Sequence, residues 1–118
     1  MALNFRPLSK TIDNADTSTT GVKLSYQAPQ VAIEGINKKA YCVAATWRTN
    51  TGTAPTVQLQ LLTKAAATIV LAQSDTNGHI FIPGASIILM PGDTIQFNVT
   101  AGGAGSNGDG DLSIDEVR

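Results

Sequence analysis

A chain of 118 residues with a net charge of −1 fits one domain, and at this size folding buries roughly two-thirds of the unfolded chain's surface. Charged residues make up only 14% of the chain, which excludes the basic surface that phosphate backbones require, so nucleic acid is not an expected partner. The lone cysteine, Cys42, excludes an internal disulfide, and no run approaches the ~20 apolar residues of a bilayer-spanning helix, so no membrane partner is expected either.

Residues 1–21 are read as an extended N-terminal arm and 22–118 as the folded domain. MALNFRPLSK has no continuous apolar segment of the kind an export signal carries, so the expectation is a soluble protein made in the cytoplasm. The following SKTIDNADTSTTG is polar and without sustained period. Phe5, Leu8 and Ile12 are the spaced apolar residues that such an arm would lay on a neighbouring subunit or on a larger shell.

From Val22 the pattern becomes alternating, the period of a half-buried strand. VKLSYQ places Val22, Leu24 and Tyr26 on one side, and QVAIEGI after Pro29 does the same with Val31 and Ile33. AYCVAATWRT sets Tyr41, Val43, Ala45 and Trp47 against Cys42, Ala44, Thr46 and Arg48, as a central strand would, with Cys42 a small hydrophobe. Residues 49–55 form a loop by composition, and TVQLQLL then alternates cleanly. In KAAATIVLA the alanines favour helix and Thr68, Ile69 and Val70 favour strand; the spacing predicts a turn at 64–67 and a strand at 68–72.

Ser74 to Gly78 is a turn cluster, after which Pro83-Gly84 and Pro91-Gly92-Asp93 each read as a tight reversal, since Pro presets φ and Gly supplies the positive φ that follows. Three consecutive strands follow from that reading, the last being TIQFNV with Ile95, Phe97 and Val99 inward. TAGGAGSNGDG is a glycine-rich connection, and LSIDEV closes the chain as a final strand with Leu112 and Ile114 on one face. The fold class expected is all-β: a jelly-roll or immunoglobulin-like antiparallel β-sandwich of about eight strands.

No constellation for chemistry survives inspection. Gly103 to Gly108 spells G-x-G-x-x-G, yet no helix can follow it and no acidic residue stands about 20 positions on, so it is a hairpin loop. Asp109, Asp111, Ser113 and Asp115 have the spacing of half a calcium loop, but Ile114 occupies the glycine position. The expectation is no metal site; the alternative is a weak one built from Asp109 and Asp111 with Asp93 across the sheet. His79 is the sole histidine, with no nucleophile placed beside it, and Asn98-Val99-Thr100 is a sequon by form that reads as strand alternation. Trp47 is expected in the core. In the alternative reading, Tyr26, Tyr41 and Trp47 form an exposed platform for sugar.

The run Ile82-Pro83-Gly84-Ala85, Ile87-Ile88-Leu89, Pro91-Gly92-Asp93, Ile95-x-Phe97-x-Val99, glycine-rich loop and Asp111 to Glu116 resembles small virion proteins of tailed bacteriophages over residues 82–116. The resemblance implies a compact β domain on a capsid, neck or tail, with no catalytic residues and no cofactor. The expected function is that of a capsid decoration, or cement, protein that bridges capsomers; the alternatives are a neck or tail structural protein and a carbohydrate- or receptor-binding β module. Expected partners are the major capsid protein or other virion proteins, and the expected location is the virion, assembled in the bacterial host cytoplasm. Self-association is expected from the residues themselves, because strands 56–62 and 86–90 carry no charge to guard an edge. A homo-oligomer follows, with a trimer favoured by the three-fold axes of a shell and a dimer next.

Overall fold

The computed structural model describes residues 8–28 and 41–116. Within them eight strands run in order: β1 (Leu8–Asp16), β2 (Gly21–Gln27), β3 (Tyr41–Thr51), β4 (Thr56–Leu62), β5 (Thr68–Gln73), β6 (Ile80–Leu89), β7 (Thr94–Ala101) and β8 (Asn107–Glu116). They form two four-stranded sheets with orders β1-β8-β3-β6 and β2-β7-β4-β5. Every pairing is antiparallel. Apart from the β4–β5 hairpin, each connection crosses between sheets, which is the winding of a jelly roll. An immunoglobulin sandwich keeps its first two strands in one sheet; here β1 and β2 belong to different sheets, and the jelly-roll alternative holds.

The core lies between the sheets and is supplied by the alternating inward positions. On β3 these are Tyr41, Val43, Ala45 and Trp47, on β4 Val57 and Leu59, on β7 Ile95, Phe97 and Val99, and on β8 Leu112 and Ile114. Trp47 of one sheet packs on Phe97 of the other, with ring centroids 5.1 Å apart. The indole also lies over β8, where Gly108 and Gly110 face inward. A Cβ at either would meet the indole at 2.8 Å and 2.6 Å respectively. The glycines after Ser106 therefore belong to a strand, not to the connection read from composition, because only a bare backbone leaves room for the indole.

Two corners tie the sheets together. Met90-Pro91-Gly92-Asp93 is the expected reversal: Asp93 N–H donates to the Met90 carbonyl at 3.0 Å and Gly92 has φ 86°. The buried Asp93 carboxylate accepts the backbone N–H of Lys64 at 3.2 Å through Oδ1 and of Met90 at 3.1 Å through Oδ2. At the other corner Thr17 and Ser106, both fully buried, bring their hydroxyl oxygens within 2.6 Å, and Gly103 N–H donates to the Thr17 carbonyl at 3.1 Å. The G-x-G-x-x-G letters are thus the tight turn that clips β7–β8 to the end of β1.

Three expectations are corrected. The segment read as an arm is, from Leu8 to Asp16, strand β1, paired with β8. Its period was hidden by a bulge between Ile12 and Ala15, where Asn14 takes φ 52°; the bulge puts two core-facing residues three positions apart. Pro83-Gly84 does not reverse the chain: β6 runs through it, and the extra residues are absorbed in a register shift opposite Val43 and Ala45 of β3. Proline fits there because β6 is an edge strand. Finally, β4, expected to present an open edge, lies between β7 and β5. The strand expected at QVAIEGI lies outside the described residues.

Candidate functional site

The residues singled out from sequence are not brought together as a site. Phe5 lies outside the described residues, and Leu8 belongs to β1. Ile12 is partly buried and packs on the core, with Gly110 as its register partner. Trp47 is 1% exposed and Tyr41 is buried, as the in-phase pattern predicted for Trp47. Tyr26 is half-buried and meets Tyr41 edge-on, with centroids 6.3 Å apart; burial pushes its phenol pKa up and Tyr41 adds to the shift. The three aromatics therefore present no platform to solvent. A sugar has no access to Trp47.

The three-carboxylate calcium alternative does not assemble either. Asp93 follows the end of β6, where Leu89 pairs with Tyr41 and Tyr41 with Glu116, whereas Asp109 pairs with Arg48. Seven positions of β3 separate those levels, about 23 Å of strand. His79 is exposed, and its backbone N–H donates to Asp75 Oδ1 at 2.9 Å. That bond, with another from Asn77 N–H, holds the Asp75 carboxyl below the usual carboxylate range.

Two surfaces stand out. The first is the side of the sandwich formed by β5 and β6, which are outer strands among the described residues and contain no charged residue. Ile69 and Val70 of β5 and Ile88 of β6 are about half exposed there. The opposite edges differ, since β1 carries Lys10, Asp13 and Asp16 and β2 carries Lys23.

The second is a polar groove of about 380 Å³ on the outer face of the first sheet, lined by Thr11, Asp13, Thr46, Arg48, Asp109 and Asp111. Register builds it. Within the groove Thr11 pairs with Asp111 and Asp111 with Thr46; beyond its lining Thr46 pairs with Phe81, so four strands contribute one row across the sheet. With strands about 4.8 Å apart the row is about 14 Å long. Phe81, at its end, is 73% exposed. Along one wall Arg48 donates from Nε to Asn50 Oδ1 at 3.2 Å and stands 3.6 Å from Asp109 Oδ2. Asp109 Oδ1 accepts Asn14 N–H at 2.8 Å, the largest cause holding its pKa low, ahead of Asn50 and Arg48. Among the described residues Asp111 Oδ1 is buried without a hydrogen-bond partner. Sequence reading missed this row because its members sit on four strands distant in the chain. Only the outward phase of Thr46 and Arg48 on β3 hinted at it.

No family model matches this chain, and no curated protein matches it. Among solved structures it is similar to the crystal structure of the infectious bursal disease virus VP2 subviral particle, with 12% identity and a TM-score of 0.49 over 93% of this chain. The match covers 32% of that chain, so this chain spans under a third of its neighbour's length.

Proposed function

We propose that this chain is a structural component of a bacteriophage virion, a capsid decoration (cement) protein that contacts the shell and further copies of itself through the β5/β6 side. The observation that carries the reading is that side's character: two strands that are outermost among the described residues, no charge in either, and three half-exposed aliphatic side chains. Folded proteins guard open edges with charge, proline or bulges because an unguarded edge templates pairing with another chain. β6 has its proline and bulge at 83–86, and β5 has a bulge at Leu71 but neither proline nor charge. Cover by another protein surface would also bury the half-exposed Ile69, Val70 and Ile88.

Jelly rolls serve capsids and lectins alike, so fold does not choose between these roles. The motif order over residues 82–116 favours the virion, with the major capsid protein as partner and assembly in the host cytoplasm. The role is non-enzymatic. Mass spectrometry of purified particles tests the proposal: the protein should be present at a copy number set by the shell's symmetry, and purified protein should rebind to particles lacking it. Its absence from particles would overturn the reading.

A further inference from the structure

The groove on the outer face of the first sheet is lined by β1, β3 and β8 and not by the β5/β6 side, although the row that runs through it ends at Phe81 of β6. Its chemistry narrows what can occupy it. Asp13, Asp109 and Asp111 outnumber the one cation, Arg48, so phosphate, sulfate and acidic sugars are repelled. A free amine gains little, because the exposed Arg48 guanidinium stands in the same wall and already pairs Asp109. What the row offers is a mixture: carboxylate acceptors, guanidinium donors, the hydroxyls of Thr11 and Thr46, and an exposed apolar ring at one end.

That mixture matches a neutral saccharide. Sugar hydroxyls donate to carboxylates and accept from guanidinium and threonine, while the C–H face of the ring packs on an aromatic side chain. Asp111 strengthens the case. A buried carboxylate oxygen normally has a partner, and Asp111 Oδ1 has none among the described residues. The soft rotation of the terminal carboxylate torsion lets a hydroxyl donor arriving in the groove meet that need. The floor is also firm, because Gly110 and the Trp47 indole beneath it are packed in contact. Binding of this shape requires little reordering of the sheet, which preserves affinity.

We propose that the row Thr11–Asp111–Thr46–Phe81, with Arg48 along its side, is a binding site for a neutral saccharide. The site takes an extended chain of sugar rings lying across the strands, with one ring seated on Phe81. This differs from a platform of Tyr26, Tyr41 and Trp47, and it holds whether or not the protein decorates a particle.

The test uses the isolated full chain, isotope-labelled, in amide-detected NMR titrations with maltose, cellobiose, lactose, mannobiose and chitobiose, and separately with calcium chloride. At least one disaccharide should bind with a Kd of about 1 mM or tighter, shifting the amides of Thr46, Arg48, Phe81 and Asp111. Phe81→Ala and Asp111→Asn should each weaken that binding roughly tenfold. Both change groups on the outer face, and unaltered melting would show that the fold is kept. Thr46→Val serves as a third variant should either melt early, and it should weaken binding in the same direction. The proposal is overturned by no binding of any disaccharide at about 10 mM, by shifts that map to another surface, or by calcium alone binding in the groove.

Discussion

Trp47 on β3 and Gly110 on β8 are register partners, and the indole lies so close over the glycine that a Cβ there would stand 2.6 Å from Cζ3. The largest side chain of the core and a missing one are a matched pair. Gly110→Ala should therefore destabilise by about 1–3 kcal/mol through overpacking, and Trp47→Ala by about 3–5 kcal/mol through the cavity it leaves. Urea denaturation measures both. The double variant should cost less than the sum, because alanine at 110 fills part of the space that the indole vacates. Additive costs would mean the two residues do not share that space.

Asp93 is the second pivot. Its carboxylate serves the backbone N–H groups of Lys64 and Met90, and its carbonyl accepts Ala28 N–H at 2.8 Å, so one turn residue joins the ends of β2, β4 and β6. Asp93→Ala leaves two donors in the turn without their acceptor and should cost roughly 2–4 kcal/mol. Asp93→Asn retains one oxygen acceptor and should cost about half as much. Equal midpoints for wild type and Asp93→Ala in chemical denaturation would remove this carboxylate from the account of stability.

These two pivots differ in how far they could be read from the chain. Pro91-Gly92-Asp93 was legible, because Pro, Gly and the reversal they favour act within four residues. So were β4 and β7, whose alternation in TVQLQLL and TIQFNV is unbroken. β1 was not, since the bulge at Asn14 breaks the period that identifies a strand. The Pro83-Gly84 pair misled for a related reason: the dipeptide favours departure from regular pairing, and whether that becomes a reversal or an edge bulge is decided by β3 alongside it. Gly108 and Gly110 read as loop because their function is set by an indole some sixty residues earlier in the chain, beyond the reach of any local pattern. The groove has the same character, being assembled by register across β1, β8 and β3.

Because β1 is part of the sandwich, the N-terminal segment contributes to stability. Removing residues 1–21 strips β8 of its outer neighbour, takes Ile12 and Ala15 from the core and removes Thr17 from its bond with Ser106. The truncated chain should lose roughly 3 kcal/mol or more, a large share of what a domain of this size possesses. Thermal melting by circular dichroism reads the result, and an unchanged melting temperature would contradict the integral role of β1.

Acid sensitivity follows from three surface carboxylates, two of them exposed and that of Asp109 partly covered. The pKa of Asp16 is lowered first by the Ser18 hydroxyl and then by Ser18 N–H, that of Asp75 by His79 N–H, and that of Asp109 by Asn14 N–H. A group whose folded pKa is depressed adds stability above its unfolded pKa, and that stability is lost as pH falls through the folded value. Stability should therefore be level on the neutral side and decline once pH drops below about 4. Asp75→Asn should lower stability at neutral pH and flatten the acid decline. A wild-type curve that rises on acidification would have the wrong sign for all three.

Among the described residues β5 and β6 are outer strands, and self-association is the expected outcome. Neither strand contains a charge, and Ile69, Val70 and Ile88 are half exposed, so water meets an apolar margin where unpaired backbone groups also lie. A second copy can cover that margin by a closed, symmetric contact, in a trimer if the shell's three-fold axes set the number and in a dimer otherwise. Lysines at Val70 and Ile88 place like charges across any such contact, at a cost of several kcal/mol, while remaining solvated in the monomer. Multi-angle light scattering at micromolar concentration should give an oligomer for the wild type and a monomer for the Val70→Lys, Ile88→Lys double variant. A monomeric wild type would withdraw the self-association and, with it, the main support for the decoration role.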